Sequence, residues 1–341
     1  MRLSPAWRRE RLHLPEPSGE DSRPCLVHLV WEPLGIEPLR KFAEALRSHP
    51  PGTEHELVLA MNGFASAAEA RPYLDEVADL EPHVLLFPEN GFDMGIYFAT
   101  AARLRRERYC FVNSYARPLV DGWLAKLDAA LDLPGVGQVG ATGAWASGHS
   151  WFLYSAGLPS AYRGLMPPPA VARRLARDID SELGGQGRGS ASDVLRARLE
   201  LVRGVPRALF CYPPFPSRFL RTNIFMITHA TLRKLRLFEV RNKTDTYALE
   251  GSRRSITRQL QRLGLSSLVV DRAGAVYGPE EWHRSRTLWQ GNQEGLLVAD
   301  NRTLSYTNGD LARRQLLSTL AWGPMADPRL PREDPSAIGV A

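Results

Sequence analysis

Short apolar runs alternate with amphipathic segments over the first 145 residues of the chain. The apolar runs predict strands, whereas apolar residues three to four positions apart predict helices. Strands are predicted at 26–31, 56–61, 83–87, 109–112 and 136–141, with helices at 39–46, 66–80, 95–106 and 121–131. Strands separated by helices are typical of βαβ units, so we predict an α/β fold with a mostly parallel, Rossmann-like sheet.

The pattern changes after residue 145. Aromatic, Ser, Gly and Pro residues dominate 144–168, and two amphipathic helices are predicted at 171–183 and 192–202. The glycine-rich stretch 184–189 between them does not join a strand to a helix, so we interpret it as a linker. We therefore predict an inserted helical hairpin over 146–207. Sheet elements return at 220–228 and 268–271, separated by a helix at 255–263.

Composition narrows the possible classes of protein. Hydrophobic residues make up 44% and charged residues 23% of the 341, which is typical of a soluble globular protein. No apolar run approaches the ~20 residues of a membrane-spanning helix. The first 24 residues are polar and arginine-rich, and we predict that they are flexible; 324–341, with four prolines, is predicted to be a disordered tail. Three scattered cysteines form neither a disulfide framework nor a metal knuckle, so we expect a cytoplasmic protein.

The positive charge is unevenly distributed. The net charge is +6, which is too small an excess to predict a nucleic-acid partner. Residues 158–207 contain nine arginines and five acidic residues, so four of the six net charges lie in the predicted insertion. Two interpretations stay open: this segment contacts phosphates or an anionic membrane surface, or it forms solvated helix faces.

Polar and glycine-rich loops follow four of the predicted strands. They begin at Asn62, Glu89, Asn113 and Thr142. In an open α/β sheet ligands bind at the carboxyl ends of the strands, so four such loops at one edge predict a binding crevice. Any one loop alone is explained equally well by the turn preferences of Asn, Gly and Asp.

Several short motifs resemble the family-two-type glycosyltransferases with the A-type, nucleotide-sugar-binding fold. In the first half they are NGFDMG at 90–95, YCFVNS at 109–114, DGWL at 121–124 and VGATG at 139–143. In the second half they are RTNIFMI at 221–227 and KTDTYALE at 243–250. The resemblance covers about 25–145 and 215–325, and it implies a nucleotide-sugar-binding half at 25–145 and an acceptor-binding half at 208–323.

This resemblance also implies an activity and a set of site residues. It implies transfer of a sugar from a nucleotide-sugar donor to the hydroxyl of a glycan or lipid-linked acceptor, with inversion, in polysaccharide or glycoconjugate synthesis. Such a reaction needs a carboxylate that takes the hydroxyl proton, and Glu250 aligns best with that base, with Asp245 second. The donor would be held by Asn62, Asp93, Gly95, Asn113, Ser114, Tyr115, Arg117, Arg221 and Lys243.

One motif of the family is missing. Its members carry Asp-x-Asp after the fourth strand, where this chain has Asn113-Ser114-Tyr115. Mn²⁺ and Mg²⁺ prefer carboxylate oxygens, so the usual divalent-cation site is not predicted. Three hypotheses stay open. Either Arg or Lys stabilises the leaving diphosphate, with Arg117 as one candidate, or a metal is bound elsewhere, for instance by Asp93. In the third hypothesis the chain is a non-catalytic glycan- or protein-binding scaffold with the same fold.

Overall fold

The computed structural model describes residues 10–18, 22–89, 91–182 and 209–329. The strands are β1 (Cys25–Trp31), β2 (Glu56–Asn62), β3 (His83–Phe87), β4 (Arg108–Val112), β5 (Arg117–Pro118), β6 (Val136–Gly140), β7 (Gly143–Ala144), β8 (Phe219–Leu220), β9 (Ile224–Thr228), β10 (Ser266–Val270), β11 (Val276–Tyr277) and β12 (Val298–Ala299). The helices are α1 (Glu37–Ser48), α2 (Ala67–Asp75), α3 (Asp93–Leu104), α4 (Trp123–Leu131), α5 (Gly148–Ser155), α6 (Pro169–Glu182), α7 (His229–Lys234), α8 (Lys243–Gly251), α9 (Ile256–Arg262), α10 (Asn301–Thr307) and α11 (Leu311–Trp322).

Eight strands form one sheet in the order β11-β10-β6-β9-β4-β1-β2-β3. The pairs β1–β2, β2–β3, β1–β4 and β6–β10 are parallel, so the predicted α/β class with a mostly parallel sheet is confirmed. Strand β9 lies antiparallel between β4 and β6. The stretch 220–228, predicted as one strand, is divided, because β8 pairs with β7 outside the main sheet.

Helices cover both faces of this sheet. On one face α1 and α4 bury Phe42 and Trp123 against apolar strand residues. On the other face α3, α8 and α9 bury Tyr97, Leu249 and Leu260. Because α3 and α8 share a face, polar residues at their ends nearest the strand termini lie close together, although 150 residues separate them in sequence.

Histidine 28 is enclosed in the core on β1. Its ring stacks on Phe42 at a centroid distance of 3.8 Å and an interplanar angle of 4°. Neither ring nitrogen has a hydrogen-bond partner among the described residues. Burial lowers the pKa of His28 to about 3, so the ring is neutral in the folded protein at physiological pH.

His28 is expected to make the protein sensitive to mild acid. Its pKa is lower in the folded state than the ~6.5 of the unfolded chain, so stability is lost as the pH falls below 6.5. This residue alone should lower the free energy of unfolding by about 2 kcal/mol between pH 7 and pH 5. Urea titrations of the wild type and His28→Phe, which keeps the stacked ring, measure that difference. Equal pH dependence in both proteins would contradict the assignment.

The ends of the chain and the insertion are partly described. Within 1–24, residues 11–15 lie against the core: Leu12 pairs with Leu237, and His229 Nε2 lies 2.7 Å from Pro15 O. The first helix of the predicted hairpin is α6, whereas the linker at 184–189 and the second predicted helix at 192–202 lie outside the described residues. Of the predicted tail, Pro328 pairs with Gly291 and 330–341 is not described. Among the described helices, none combines the length and apolar character needed to cross a bilayer.

Candidate active site

The carboxyl ends of β4 and β6 meet the amino end of β9 at one edge of the sheet, because β9 runs in the opposite direction. Asn223, just before β9, joins its neighbours there. Its carbonyl accepts a bond from Asn113 N at 2.9 Å, and its Oδ1 accepts one from Thr142 Oγ1 at 2.7 Å. Its buried Nδ2 has no partner among the described residues. This edge of the sheet is therefore a polar surface shared by three strands.

Glu250 lies in the last turn of α8, above this edge. Its Oε1 accepts hydrogen bonds from Thr222 N at 3.0 Å and Thr222 Oγ1 at 3.3 Å. Burial raises the pKa of Glu250; the Thr222 bond and the charge of Arg221 oppose the increase, and the charge of Asp93 adds to it. A carboxylate with a raised pKa accepts a proton more readily than an exposed one, which is the property of a general base.

Arg221 is the cation whose charge most lowers the pKa of Glu250, and its guanidinium pairs with Asp300. Arg221 Nη2 lies 2.8 Å from Asp300 Oδ2, and the two side chains are 12% and 0% exposed. Asp300 also caps α10 by accepting a bond from Thr303 N at 2.8 Å. Burial alone would raise the pKa of Asp300, but Arg221 and Thr303 outweigh it and hold the pKa below its ordinary value. The ion pair therefore fixes the guanidinium beside Glu250.

Asp93 completes the group from the first turn of α3. Its Oδ1 accepts bonds from Met94 N at 2.8 Å and from Thr246 Oγ1 of α8 at 3.2 Å. Burial raises the pKa of Asp93, opposed by the bonds from Met94 and Thr246 and by the charge of Lys243. The structure therefore brings together Asp93, Arg221 and Glu250 from three separate parts of the chain.

Other predicted residues of the second half have different surroundings. Asp245 is buried in the first turn of α8, and its Oδ2 accepts a bond from Arg241 N at 2.9 Å. Lys243 is exposed, with Nζ 5.7 Å from the ring centroid of Tyr247. The structure therefore places the Asp245 carboxylate against the backbone that enters α8.

Two predicted donor-binding residues of the first half bond within the protein. Asn62 donates to Gly91 O and accepts from Gly91 N, each at 2.8 Å, which ties the end of β2 to the loop before α3. Ser114 Oγ donates to Leu29 O at 2.7 Å. Both side chains are at least 94% buried, so they shape the crevice through the loops they hold.

The structure places Gly95 and Arg117 beside other elements. A Cβ on Gly95 would lie 3.3 Å from Val240 Cβ, so the glycine allows the segment before α8 to approach α3 closely. Arg117 lies on β5 opposite Ala299. Burial lowers the pKa of Arg117, and the charges of Glu37 and Glu44 on α1 oppose this effect. The guanidinium therefore has its anionic neighbours on α1.

The residues at the end of β4 do not fit a divalent cation. Asn113 Oδ1 accepts a bond from Tyr115 N at 3.1 Å, and Ser114 Oγ is bound to Leu29 O. Over the described ranges no three His, Cys, Asp or Glu side chains gather where they could hold a metal ion. Mn²⁺ and Mg²⁺ prefer several oxygen ligands, and the residues at the end of β4 do not offer the carboxylates that such an ion favours.

Sequence reasoning assigned no role to several residues of this group. These residues are Thr222, Thr246 and Asp300. The Asp300–Thr303 spacing is typical of a helix N-cap, which predicts local structure but not a partner 79 residues earlier.

Comparison with known proteins gives only distant similarity. No family model and no curated protein matches the chain. A mannosyltransferase from Pyrobaculum calidifontis, solved with GDP-Man and Mn²⁺, is 16% identical with a TM-score of 0.30, and the match covers 60% of this chain and 76% of that one. The WbbM bifunctional glycosyltransferase is 11% identical with a TM-score of 0.31, over 74% of this chain and 39% of that one.

A third structure, core-mannan synthase A from Aspergillus fumigatus in a Mn/GDP form, is 9% identical with a TM-score of 0.29, over 73% of this chain and 67% of that one. Similarity this low assigns neither an activity nor a substrate to this chain. The function has to be inferred from the geometry of the site.

Proposed function

We propose that this protein is a glycosyltransferase of the A-type fold, which moves a sugar from a nucleotide-sugar donor to an acceptor hydroxyl with inversion. Synthesis of a polysaccharide or glycoconjugate is the corresponding role. The observation that carries the proposal is the convergence of Glu250, Arg221 and Asp93 at the carboxyl edge of a parallel sheet, where ligands of α/β proteins bind.

In the proposed reaction Glu250 acts as the base. Its carboxylate takes the proton of the acceptor hydroxyl while the acceptor oxygen attacks the anomeric carbon of the donor. The bond from that carbon to the diphosphate oxygen breaks at the same time, and the nucleoside diphosphate leaves with the bonding electrons. Attack from the face opposite the leaving group inverts the anomeric centre.

The departing diphosphate gains negative charge that has to be stabilised in a site shielded from water. The Arg221 guanidinium is held on one side by Asp300. Its buried Nη1 has no partner among the described residues. We assign it to the leaving group, with the donor lying along the crevice towards Asn113.

A thermal-shift panel of nucleoside diphosphates, each with Mn²⁺ and with EDTA, tests this proposal. One nucleotide is expected to stabilise the protein equally in both conditions, because the crevice provides a guanidinium in place of metal ligands. At a nucleotide concentration of ~100 times its Kd, the free energy of unfolding increases by ~2.7 kcal/mol. The matching nucleotide sugar should then be consumed in an assay of donor hydrolysis.

Stabilisation only in the presence of Mn²⁺ would contradict the assignment of Arg221 to the leaving group. No stabilisation by any nucleotide would contradict the transferase proposal and favour a non-catalytic scaffold. Arg221→Lys is the matched variant, because it keeps the charge but cannot hold Asp300 and the diphosphate with the same planar fork.

A further inference from the structure

Arg218 lies just before β8, Arg253 lies just before α9, and Arg258 and Arg262 lie on α9; we call these four residues the arginine cluster. Leu220 N donates to Thr257 Oγ1 at 3.1 Å, which brings β8 to the start of α9. Arg262 Nη2 donates to Arg253 O at 2.7 Å. Arg258 and Arg262 are four residues apart on α9 and therefore share one face of the helix.

The cluster contains little opposing charge. Arg218 pairs with Glu280, which is 72% exposed, and no other acidic side chain pairs with these four residues in the described parts of the chain. Arg258 has no side-chain partner there, and its Nε is buried; the buried Nε of Arg218 is also without a partner. Burial and the charges of the other three arginines lower the pKa of Arg258. An arrangement of this kind is stabilised when an anion binds between the guanidinium groups.

The cluster lies beside the proposed catalytic carboxylate. Arg253 follows Glu250 by three residues, so their Cα atoms are at most about 11 Å apart. Arg218 precedes Arg221 by the same number. Helix α9 packs near β6 and β10, where Thr257 Oγ1 accepts a bond from Gln138 Nε2. Strands β6 and β10 lie on the opposite side of β9 from β1 and β2. The proposed donor therefore lies between the arginine cluster and the ends of β1 and β2.

We propose that the arginine cluster binds a phosphate or diphosphate group carried by the acceptor. This inference rests on the proposed transferase function and names the class of its second substrate. The planar guanidinium groups match phosphate oxygens, and the fixed distance to Glu250 places a hydroxyl near the phosphate within reach of the base. A phosphorylated sugar and a lipid-linked diphosphate share this chemistry.

Calorimetric titration of the full chain with inorganic pyrophosphate and with farnesyl diphosphate tests the inference. The nucleoside diphosphate found in the thermal-shift panel is present at saturation, so that the donor site is occupied. Arg258→Gln and Arg253→Gln are each expected to raise the Kd for pyrophosphate about tenfold or more, as expected for loss of a charge-assisted bond. Arg258→Lys keeps the charge and should therefore raise the Kd for pyrophosphate by a smaller factor.

Arg71→Gln is the matched control, because Arg71 is an exposed residue of α2 that pairs with Asp75. Its Kd should equal that of the wild type. Tighter binding of farnesyl diphosphate than of pyrophosphate would identify a lipid-linked acceptor, and equal binding a soluble phosphorylated one. Glu250→Gln should bind pyrophosphate normally, so loss of catalysis and loss of this site are separable.

Three results would overturn the inference. The first is an unchanged Kd for pyrophosphate in Arg258→Gln, provided that circular dichroism shows the variant to be folded. The second is loss of nucleotide binding in that variant, which would assign the cluster to the donor. The third is loss of binding to phosphatidylserine vesicles with pyrophosphate binding intact, which would make the cluster a membrane contact.

Discussion

Replacement of Glu250 by glutamine is expected to abolish sugar transfer in a protein that remains folded. Loss of a general base costs typically 10²–10⁴-fold in rate. Glutamine keeps an oxygen that can accept the bonds from Thr222 N and Oγ1, so both hydrogen bonds can still form in the variant. The rate of donor consumption with acceptor present, measured for both proteins, provides the test. Glu281→Gln, an exposed carboxylate paired with Arg284, is the matched control and should keep full activity.

The pH dependence gives a second measurement of the same residue. Burial raises the pKa of Glu250 above its ordinary value, so transfer by the wild type should increase with pH as the carboxylate loses its proton. The residual activity of Glu250→Gln should lack that increase. Ionising a carboxyl whose folded pKa is raised costs stability above the unfolded value, so the variant should be at least as stable as the wild type at pH 7.

Full activity of Glu250→Gln would show that another group is the base. Asp245→Asn separates the two carboxylates considered from the sequence. The Asp245 carboxylate is buried against Arg241 N, so this substitution is expected to lower stability before it affects transfer. A variant with normal stability but no transfer would assign the base to Asp245 instead.

Replacement of Asp300 by asparagine is expected to cost about 3 kcal/mol of the free energy of unfolding. The carboxylate is fully buried and pairs with a largely buried guanidinium, so its loss leaves an uncompensated charge in the protein. Asparagine is a good N-cap and should still accept the bond from Thr303 N. Asp300→Ala removes the cap as well, and it should cost about 1 kcal/mol more.

Urea denaturation of these variants, of Arg221→Met and of the double variant Arg221→Met/Asp300→Asn measures the pair. The double variant should be more stable than the sum of the single effects predicts, because neither charge is then left alone. The pKa of Asp300 is held low, so its stabilising effect is present above the unfolded value of ~3.9 and is lost as the pH falls below it. Equal stability of the wild type and Asp300→Asn at pH 7 would contradict a structural ion pair.

Glu250 and Asp300 differ in how far the sequence predicts their place in the candidate site. The sequence predicts Glu250 as the base because the segment 243–250 resembles a family motif, and in the structure Glu250 accepts bonds from Thr222 at the edge of the sheet. Asp300 holds the Arg221 guanidinium in place, but the pattern that marks Asp300 in the sequence is that of a helix N-cap. The Arg221–Asp300 pair forms only because the segment before β9 and the start of α10 meet in space, and no local pattern encodes that meeting.

Two of the residues predicted from polar loops have local hydrogen-bond partners. Asn62 and Ser114 are at the expected edge, but their side chains bond to Gly91 and Leu29. A loop of polar residues looks the same in sequence whether its groups bind a ligand or hold the backbone. Only the tertiary structure shows which hydrogen bonds are already made.

The sequence by itself determined the class of the fold. A strand that is buried on both faces leaves a short continuous apolar run, as in β1, β2 and β4. A helix that is buried on one face leaves apolar residues three to four positions apart, as in α1 and α4. The tertiary structure decided the direction of β9, the division of 220–228 and the convergence of Asp93, Arg221, Glu250 and Asp300. These features depend on which distant segments pack together. The contacts that stabilise them join residues far apart in the chain, and no local sequence pattern marks such residues as partners.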